Sequence, residues 1–326
     1  MHVERRAVID VGTNSIKLLV ADLSGRVVRP VSEQSHQTRL GEGFFRDRRL
    51  KAGPIARTAE AVARFARTAR TLGAESIRVV ATSAAREALN GEELTAAITR
   101  ASGLPVEVIS GEQEADWAFQ GVTTDPALAA DPLLLLDVGG GSTEFILGQG
   151  GHTDFRESFP LGTVRLLEQM PHSDPPTEAE QAACLGWLQT YLTETVQPRL
   201  EPAMRRETRL HPRHGQVRLV GTGGTATILG AMEARLEAFD RERIEAARLS
   251  REQVRRRREQ LWSLPLAQRR LLPGLPPNRA DVILTGVAIY ETVMERFGFQ
   301  ELKVSTRGLR FAALLNPVAV SPSVDP

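Results

Sequence analysis

The chain has 326 residues, 41% of them hydrophobic and 25% charged, with a formal net charge of +1. That balance suits a globular protein of about two ordinary domains and excludes a global electrostatic bias toward nucleic acid or a membrane surface. Only Lys17, Lys51 and Lys303 among the 41 basic residues are lysines, and Cys184 is the single cysteine, so an intrachain disulfide is excluded. With no leader-like N-terminus and no apolar run of about 18–20 residues, the expectation is a cytosolic protein outside the membrane.

In chain order, residues 6–20 read as a hairpin: apolar strand, Gly-Thr-Asn turn, apolar strand. The glycine-rich loop Arg39-Leu40-Gly41-Glu42-Gly43-Phe44 follows. Ile55, Ala59, Val62, Phe65, Ala69 and Leu72 recur every three or four positions and predict a helix from about Pro54 to Leu72. Residues 77–82 predict a strand, Asn90 the cap of a helix holding Glu92 to Arg100, and residues 106–109 another strand. Ser110-Gly111-Glu112-Gln113 has the form of a capping box, with Gln113 reaching back to Ser110, ahead of a helix that carries Glu114. From Thr123 to Pro132 the apolar periodicity lapses, and the boundary between two domains, 1–124 and 125–326, is placed there.

The second half opens like the first, at 133–148, and predicts a further strand near Phe155. A proline-rich turn at 171–178 leads through a Thr177/Glu180 capping box into a long helix. Residues 219–230 read as strand, glycine turn and helix, and about 250–262 as an arginine-rich helix. Asn278 predicts the start of a helix to about Phe297; a last strand and helix occupy 302–315, and the tail after Pro317 is expected to fray. Strands alternate with helices, so the fold class is α/β, each domain a mixed sheet flanked by helices, with a cleft between them.

One pattern occurs twice. Residues 9–20 read I-D-V-G-T-N-S-I-K-L-L-V, and residues 136–147 read L-D-V-G-G-G-S-T-E-F-I-L. Asp10 matches Asp137, Gly12 matches Gly139, Ser15 matches Ser142, and Lys17 matches Glu144. A carboxylate at the C-terminal end of a strand faces the crevice where α/β proteins bind ligands, and glycines let backbone approach an anion closely. One copy would pass as a plain hairpin turn. Two copies in register point to phosphate or nucleotide binding, held from both sides of a cleft.

Asp137 and Glu144, with Asp10 as their counterpart, read as ligands of Mg²⁺ or another divalent cation, which takes one or two carboxylates plus substrate phosphates. Lys17 could meet phosphate oxygens. Glu114 lies in the first turn of its helix, where the dipole favours its charge. It can orient a water, but its pKa is expected away from 7, which makes it a weak general base. From local sequence alone an exposed glutamate serving the dipole is the simpler reading, for Glu112 as well. Arg86 is either a stabiliser of phosphoryl oxygens or a surface partner of Glu87. Gly221-Thr222-Gly223-Gly224 is a third phosphate-loop candidate, weak by itself. Arg255-Arg256-Arg257-Arg258 reads as a solvated helix. The histidines show no metal spacing; His211 and His214 lie in a basic loop.

These residues resemble the exopolyphosphatase / guanosine pentaphosphate phosphohydrolase family, in its short two-domain form, within the actin-like ATPase superfamily. The resemblance rests on D-V-G-T-N-S from Asp10, R-L-G-E-G from Arg39, A-T-S-A-A-R-E-A-L-N from Ala81 and I-S-G-E-Q-E-A from Ile109. It continues through L-D-V-G-G-G-S-T-E from Leu136, P-L-G-T-V-R from Pro160, G-T-G-G-T from Gly221 and V-S-T-R-G-L-R from Val304. It implies two actin-like (ribonuclease H-like) domains and a homodimer. It implies that Glu114 is catalytic, that Arg86 binds phosphate, and that Asp137 and Glu144 are the acidic pair linked to Mg²⁺. Asn14, Gly139, Gly140, Gly141 and Ser142 match the phosphate-cradling turns; Thr163 sits in a loop where family members vary and is a candidate phosphate contact only. Arg310-Phe311-Ala312 departs from the family pattern of arginine, acidic residue and glycine, and is expected to affect packing of the last helix. The implied reaction is release of orthophosphate from the end of inorganic polyphosphate. Guanosine pentaphosphate is the alternative substrate, and an ATP-dependent kinase or actin-like ATP-binding module is the alternative class.

Overall fold

The computed structural model describes residues 3–210 and 217–316. The loop with His211 and His214 and the tail after Pro317 lie outside the described residues. The first sheet contains β1 (Glu4–Val11), β2 (Ser15–Ser24), β3 (Val27–Gln37), β4 (Ser76–Ala81) and β5 (Val106–Val108). The second contains β6 (Leu133–Val138), β7 (Thr143–Gln149), β8 (His152–Phe159), β9 (Arg218–Thr222), β10 (Arg248–Ser250) and β11 (Glu301–Val304). Their orders are β3-β2-β1-β4-β5 and β10-β11-β9-β6-β7-β8. In each, an antiparallel three-strand meander continues into parallel strands, so β1, β2, β3 and β4 correspond to β6, β7, β8 and β9. The repeat seen in one short motif therefore extends to the topology of both lobes.

Each sheet buries its apolar residues under helices. Helix Ala52–Thr71 lays Ile55, Ala59, Val62, Phe65 and Ala69 on the first sheet, in one core with Ile9, Leu18 and Val79. Burying a side chain the size of Phe65 or Val62 stabilises by roughly 1.5–3 kcal/mol. Helix Ile283–Phe297 is buried on nearly every face and packs in the second core with Leu134, Leu136 and Phe145. No helix among the described residues is long and apolar enough to cross a membrane.

Several local expectations change. The strand β3 is absent from the sequence reading because it is a largely exposed edge strand, without apolar alternation. Asn90 sits at the predicted cap position, but its amide bonds the backbone N–H and C=O of Leu50 and the Glu93 carboxylate, and caps no backbone N–H of its helix. Ser110 Oγ accepts from Gln113 N at 3.1 Å, whereas the return bond of the predicted box is not formed; Thr177 and Glu180 form theirs in full. The stretch read as loop contains a short helix, Pro126–Ala129, capped by Asp125. The helix assigned to Asn278 begins at Ile283, after a 3₁₀ turn at Pro277–Arg279. Finally, helix Leu309–Leu315 crosses the 124/125 division. Leu309, Phe311 and Ala312 share a core with Val8, Leu19 and Trp117 of the first lobe. Phe311 is buried there under the guanidinium of Arg241 at 5.0 Å, a packing role for the residue that departs from the family pattern.

Candidate active site

The two hairpin turns are built alike. Gly12 N donates to Ser15 O at 3.1 Å, and Gly139 N donates to Ser142 O at 2.9 Å. Strand register sets Asp10 opposite Lys17 on one hairpin and Asp137 opposite Glu144 on the other. Both turns open onto one cleft, lined by Asp10, Asn14, Ser15, Lys17, Glu114, Asp137, Gly139, Gly140, Gly141, Ser142, Glu144 and Thr163. The turns nearly touch: a Cβ on Gly140 would stand 3.0 Å from Thr13 Cβ, so glycine is what the approach permits. The third turn joins them, with Gly223 at φ +80° packed against Asp137 Oδ1.

The turns carry unspent donors. The carbonyls of Gly139 and Gly140 accept N–H bonds from residues 163–165. The N–H groups of Gly140, Gly141 and Ser142 find no acceptor among the described residues. Consecutive free N–H groups form an anion-binding nest. Asn14 adds to it: its Oδ1 accepts from Gln37 at 3.0 Å while its buried Nδ2 has no partner. Ser142 spends its hydroxyl on Glu144 Oε1 at 2.8 Å, and Ser158 donates to the same oxygen at 2.7 Å.

Glu114 projects into this cleft from the first turn of helix Gly111–Val122, its side chain only 12% exposed. Withdrawal from water pushes its carboxyl up to about 7, against the pull of the Arg86 charge. The expectation of an acidity away from neutrality is thus overturned: desolvation outweighs the charge and hydrogen bond of Arg86. The exposed-glutamate reading holds for Glu112, which pairs with Arg156 at the surface, and fails for Glu114. Arg86 does not pair with Glu87, whose carboxylate is taken by Arg165. Its Nη1 bonds Glu114 Oε2 at 2.9 Å and Ile109 O at 3.0 Å, one step behind the cleft wall.

Burial likewise raises Asp10, Asp137 and Glu144, and the Glu114 and Asp137 charges push Glu144 further. Burial lowers Lys17, with Asp10 opposing. Among the described residues no group of three or more carboxylate, imidazole or thiol side chains forms a ready-made metal cage. What is present is the cross-strand pair Asp137 and Glu144, two acids that destabilise each other's charge. Such a pair fits an ion that takes one or two protein carboxylates and completes its shell with water and phosphate oxygens. Asp10 faces a lysine on its own hairpin, not a second acid.

The site contains residues the sequence reading missed. Arg279 donates to Ser15 Oγ at 2.8 Å, and burial pushes its guanidinium down to about 10. Thr13, Thr82 and Ser83 also line the cleft. A wider chamber adjoins it, sharing Asp10, Lys17, Asp137 and Arg279 and reaching Glu33, Phe239 and Arg310. The Pro-Pro-Asn-Arg run was the available signal for Arg279, and it reads as a helix start unless the opposite lobe is known.

Comparison with known proteins accords with this geometry. The model of the Ppx/GppA phosphatase family matches residues 19–318. The chain belongs to that family. It is 35% identical over 318 residues to exopolyphosphatase 2 of Mycobacterium tuberculosis, covering 94% of this chain and 96% of the relative. Among solved structures, the Ppx/GppA family member of Aquifex aeolicus superposes with a TM-score of 0.76 at 29% identity, over 96% of this chain and 97% of that one. An exopolyphosphatase from Cytophaga hutchinsonii superposes with a TM-score of 0.84 at 26% identity, over 95% and 96%. These matches extend over both lobes.

Proposed function

We propose that this chain hydrolyses the terminal phosphoanhydride of inorganic polyphosphate and releases orthophosphate. The observation that carries the reading is Glu114 lining one cleft with both turns, where the N–H groups of Gly140, Gly141 and Ser142 have no acceptor among the described residues. The terminal phosphate lies against Gly140, Gly141, Ser142 and the Asn14 amide. Lys17 and Arg279 offset its charge. Glu114 takes a proton from a water, whose oxygen forms the new bond to phosphorus as the bridging P–O bond breaks toward the rest of the polymer. Arg86 holds the Glu114 carboxylate in place. A divalent cation held by Asp137 and Glu144 would neutralise the terminal phosphates.

Removing a positioned acid–base group costs about 10²–10⁴ in rate. Glu114→Gln should therefore lose phosphate release by that factor while polyphosphate affinity, measured by titration calorimetry, persists. Wild-type turnover in that variant refutes the role of Glu114. If Asp137 and Glu144 hold the cation, chelation should stop turnover and Mg²⁺ should restore it. Activity indifferent to chelator overturns the metal assignment.

A second reading is favoured by the adjoining chamber. Its walls include apolar Ile228, Phe239 and Leu309 beside Lys17, Arg279 and Arg310, which admits a leaving group with an organic part, as in guanosine pentaphosphate. Side-by-side kcat/KM values for the two substrates decide between them. Transfer from ATP to an acceptor faster than either hydrolysis would support a kinase instead.

A further inference from the structure

We infer that Arg165 is a positioning residue, aiming the phosphate-binding N–H groups of the second turn and coupling that turn to the opposite lobe through Glu87. The inference rests on the reading of the glycine turns as phosphate cradles. Arg165 stands in the first turn of helix Thr163–Gln169. Thr163 N donates to Gly139 O at 2.9 Å, Val164 N to Gly140 O at 2.9 Å, and Arg165 N to Gly140 O at 3.1 Å. The side chain supplies what the helix backbone does not reach: Arg165 Nε donates to Gly141 O at 2.7 Å. All three glycine carbonyls are thus held from behind.

In a trans peptide, C=O of one residue and N–H of the next point in opposite directions. Holding Gly139, Gly140 and Gly141 carbonyls on the helix side turns the N–H groups of Gly140, Gly141 and Ser142 the other way, toward the cleft those residues line. The last of these, Ser142 N–H, depends on the Arg165 side chain alone.

The rest of the guanidinium reaches the first lobe. Nη2 bonds Glu87 Oε1 at 2.8 Å and Oε2 at 2.7 Å, and the plane stacks on Phe45 at 4.2 Å. Glu87 Oε1 also accepts from Ser83 Oγ at 2.8 Å, and Ser83 lines the cleft against Gly141. One planar cation therefore joins Gly141, Glu87 and, through Glu87, Ser83. The pair is partly buried, with side chains 18% and 27% exposed, and its bonds span two lobes. Such a contact forms only when the lobes are together. Lysine cannot reproduce it, because a single ammonium lacks the fork that serves a carbonyl and a carboxylate at once.

The test is steady-state kinetics of polyphosphate hydrolysis for Arg165→Met, Arg165→Lys, Glu87→Gln and the double variant Arg165→Met/Glu87→Gln, with melting curves confirming the folded state. Arg165→Met should lose about 10- to 100-fold in kcat/KM, the order expected for hydrogen bonds to charged groups. The acid limb of its pH profile should stay at the wild-type position, because Arg165 does not touch Glu114. Arg165→Lys should recover only part of the loss. Glu87→Gln should lose less than Arg165→Met, and the double variant should fall no further than Arg165→Met, because both act through one contact. Wild-type rates in Arg165→Met, or losses that multiply in the double variant, overturn the inference. If Arg165→Met does not fold, Glu87→Gln carries the test, and an unchanged kcat/KM in it counts against the coupling. Should the wild type hydrolyse no polyphosphate, the proposed function fails. Affinity for polyphosphate then separates the two: Arg165→Met must still bind it more weakly than the wild type.

Discussion

Glu114 stands where two forces oppose each other. The cleft wall removes the water that would stabilise its charge, and Arg86 favours that charge by proximity and a hydrogen bond; the outcome is a carboxyl pushed up to about 7. Ionised Glu114 is the form that accepts a proton, so kcat/KM should rise with pH up to about 7 and then level. Arg86 lowers this value, so Arg86→Gln should move the limb to higher pH as well as slowing the reaction. A limb that stays put or moves to lower pH would break the link between the two residues. Stability follows with its own sign. A carboxyl raised on folding binds its proton more tightly in the native state. Its contribution is full below the unfolded value of about 4.3 and is lost as pH rises through the folded one. Glu114→Gln should accordingly melt higher than wild type at pH 8 and no differently at pH 4, checked by paired melting curves. The same burial explains why local sequence misplaces this residue: nothing within Gly111–Val122 says that the facing wall is the other lobe.

At the scale of elements, the glycine turns are shaped by each other. A methyl group on Gly141 would collide with Ser83 Oγ and lie 2.9 Å from Thr13 Oγ1, so the turn would have to back away from the opposite lobe. Gly141→Ala should cost about 10² in kcat/KM, the scale of a 1 Å misplacement of positioning groups. Gly151→Ala, in the β7–β8 turn with nothing within 4 Å of the added carbon, should be neutral; equal effects in the two would remove the argument. Legibility follows the same division between local and distant causes. The hairpins and the helix Ala52–Thr71 were legible because their apolar spacing is local and strong. The repeat brought the cleft into view because Asp10 and Asp137 sit at equivalent strand ends. The edge strand β3 escaped because exposed polar residues leave no period to read. Asn90 and Arg279 escaped because their partners, Leu50 and Ser15, are brought near only by the tertiary fold.

For the whole molecule, the lobes are shut, and polar groups hold them so. Arg39 bonds Asp281 at 2.8 Å, Arg165 bonds Glu87, and Glu168 accepts from the backbone N–H groups of Gly43 and Phe45. Exposed or half-buried ion pairs are each worth about 0–1 kcal/mol, so the seam is cohesive without being permanent. The chain crosses between lobes at 123–132 and again before helix Leu309–Leu315, and Gly121 packs directly on the Gly308 carbonyl where the two crossings meet. A pivot placed there would leave the apolar core of each lobe intact while the glycine turns separate. Such an opening would let orthophosphate leave past two turns that otherwise stand in contact. The free protein in 0.5 M salt, where the Debye length falls below about 8 Å, should therefore scatter with a larger radius of gyration than at low salt. A non-hydrolysable polyphosphate analogue at low salt should bring it back to the closed value. Profiles that superimpose in all of these conditions would mean that the lobes do not part, and the product would need an exit through the adjoining chamber instead.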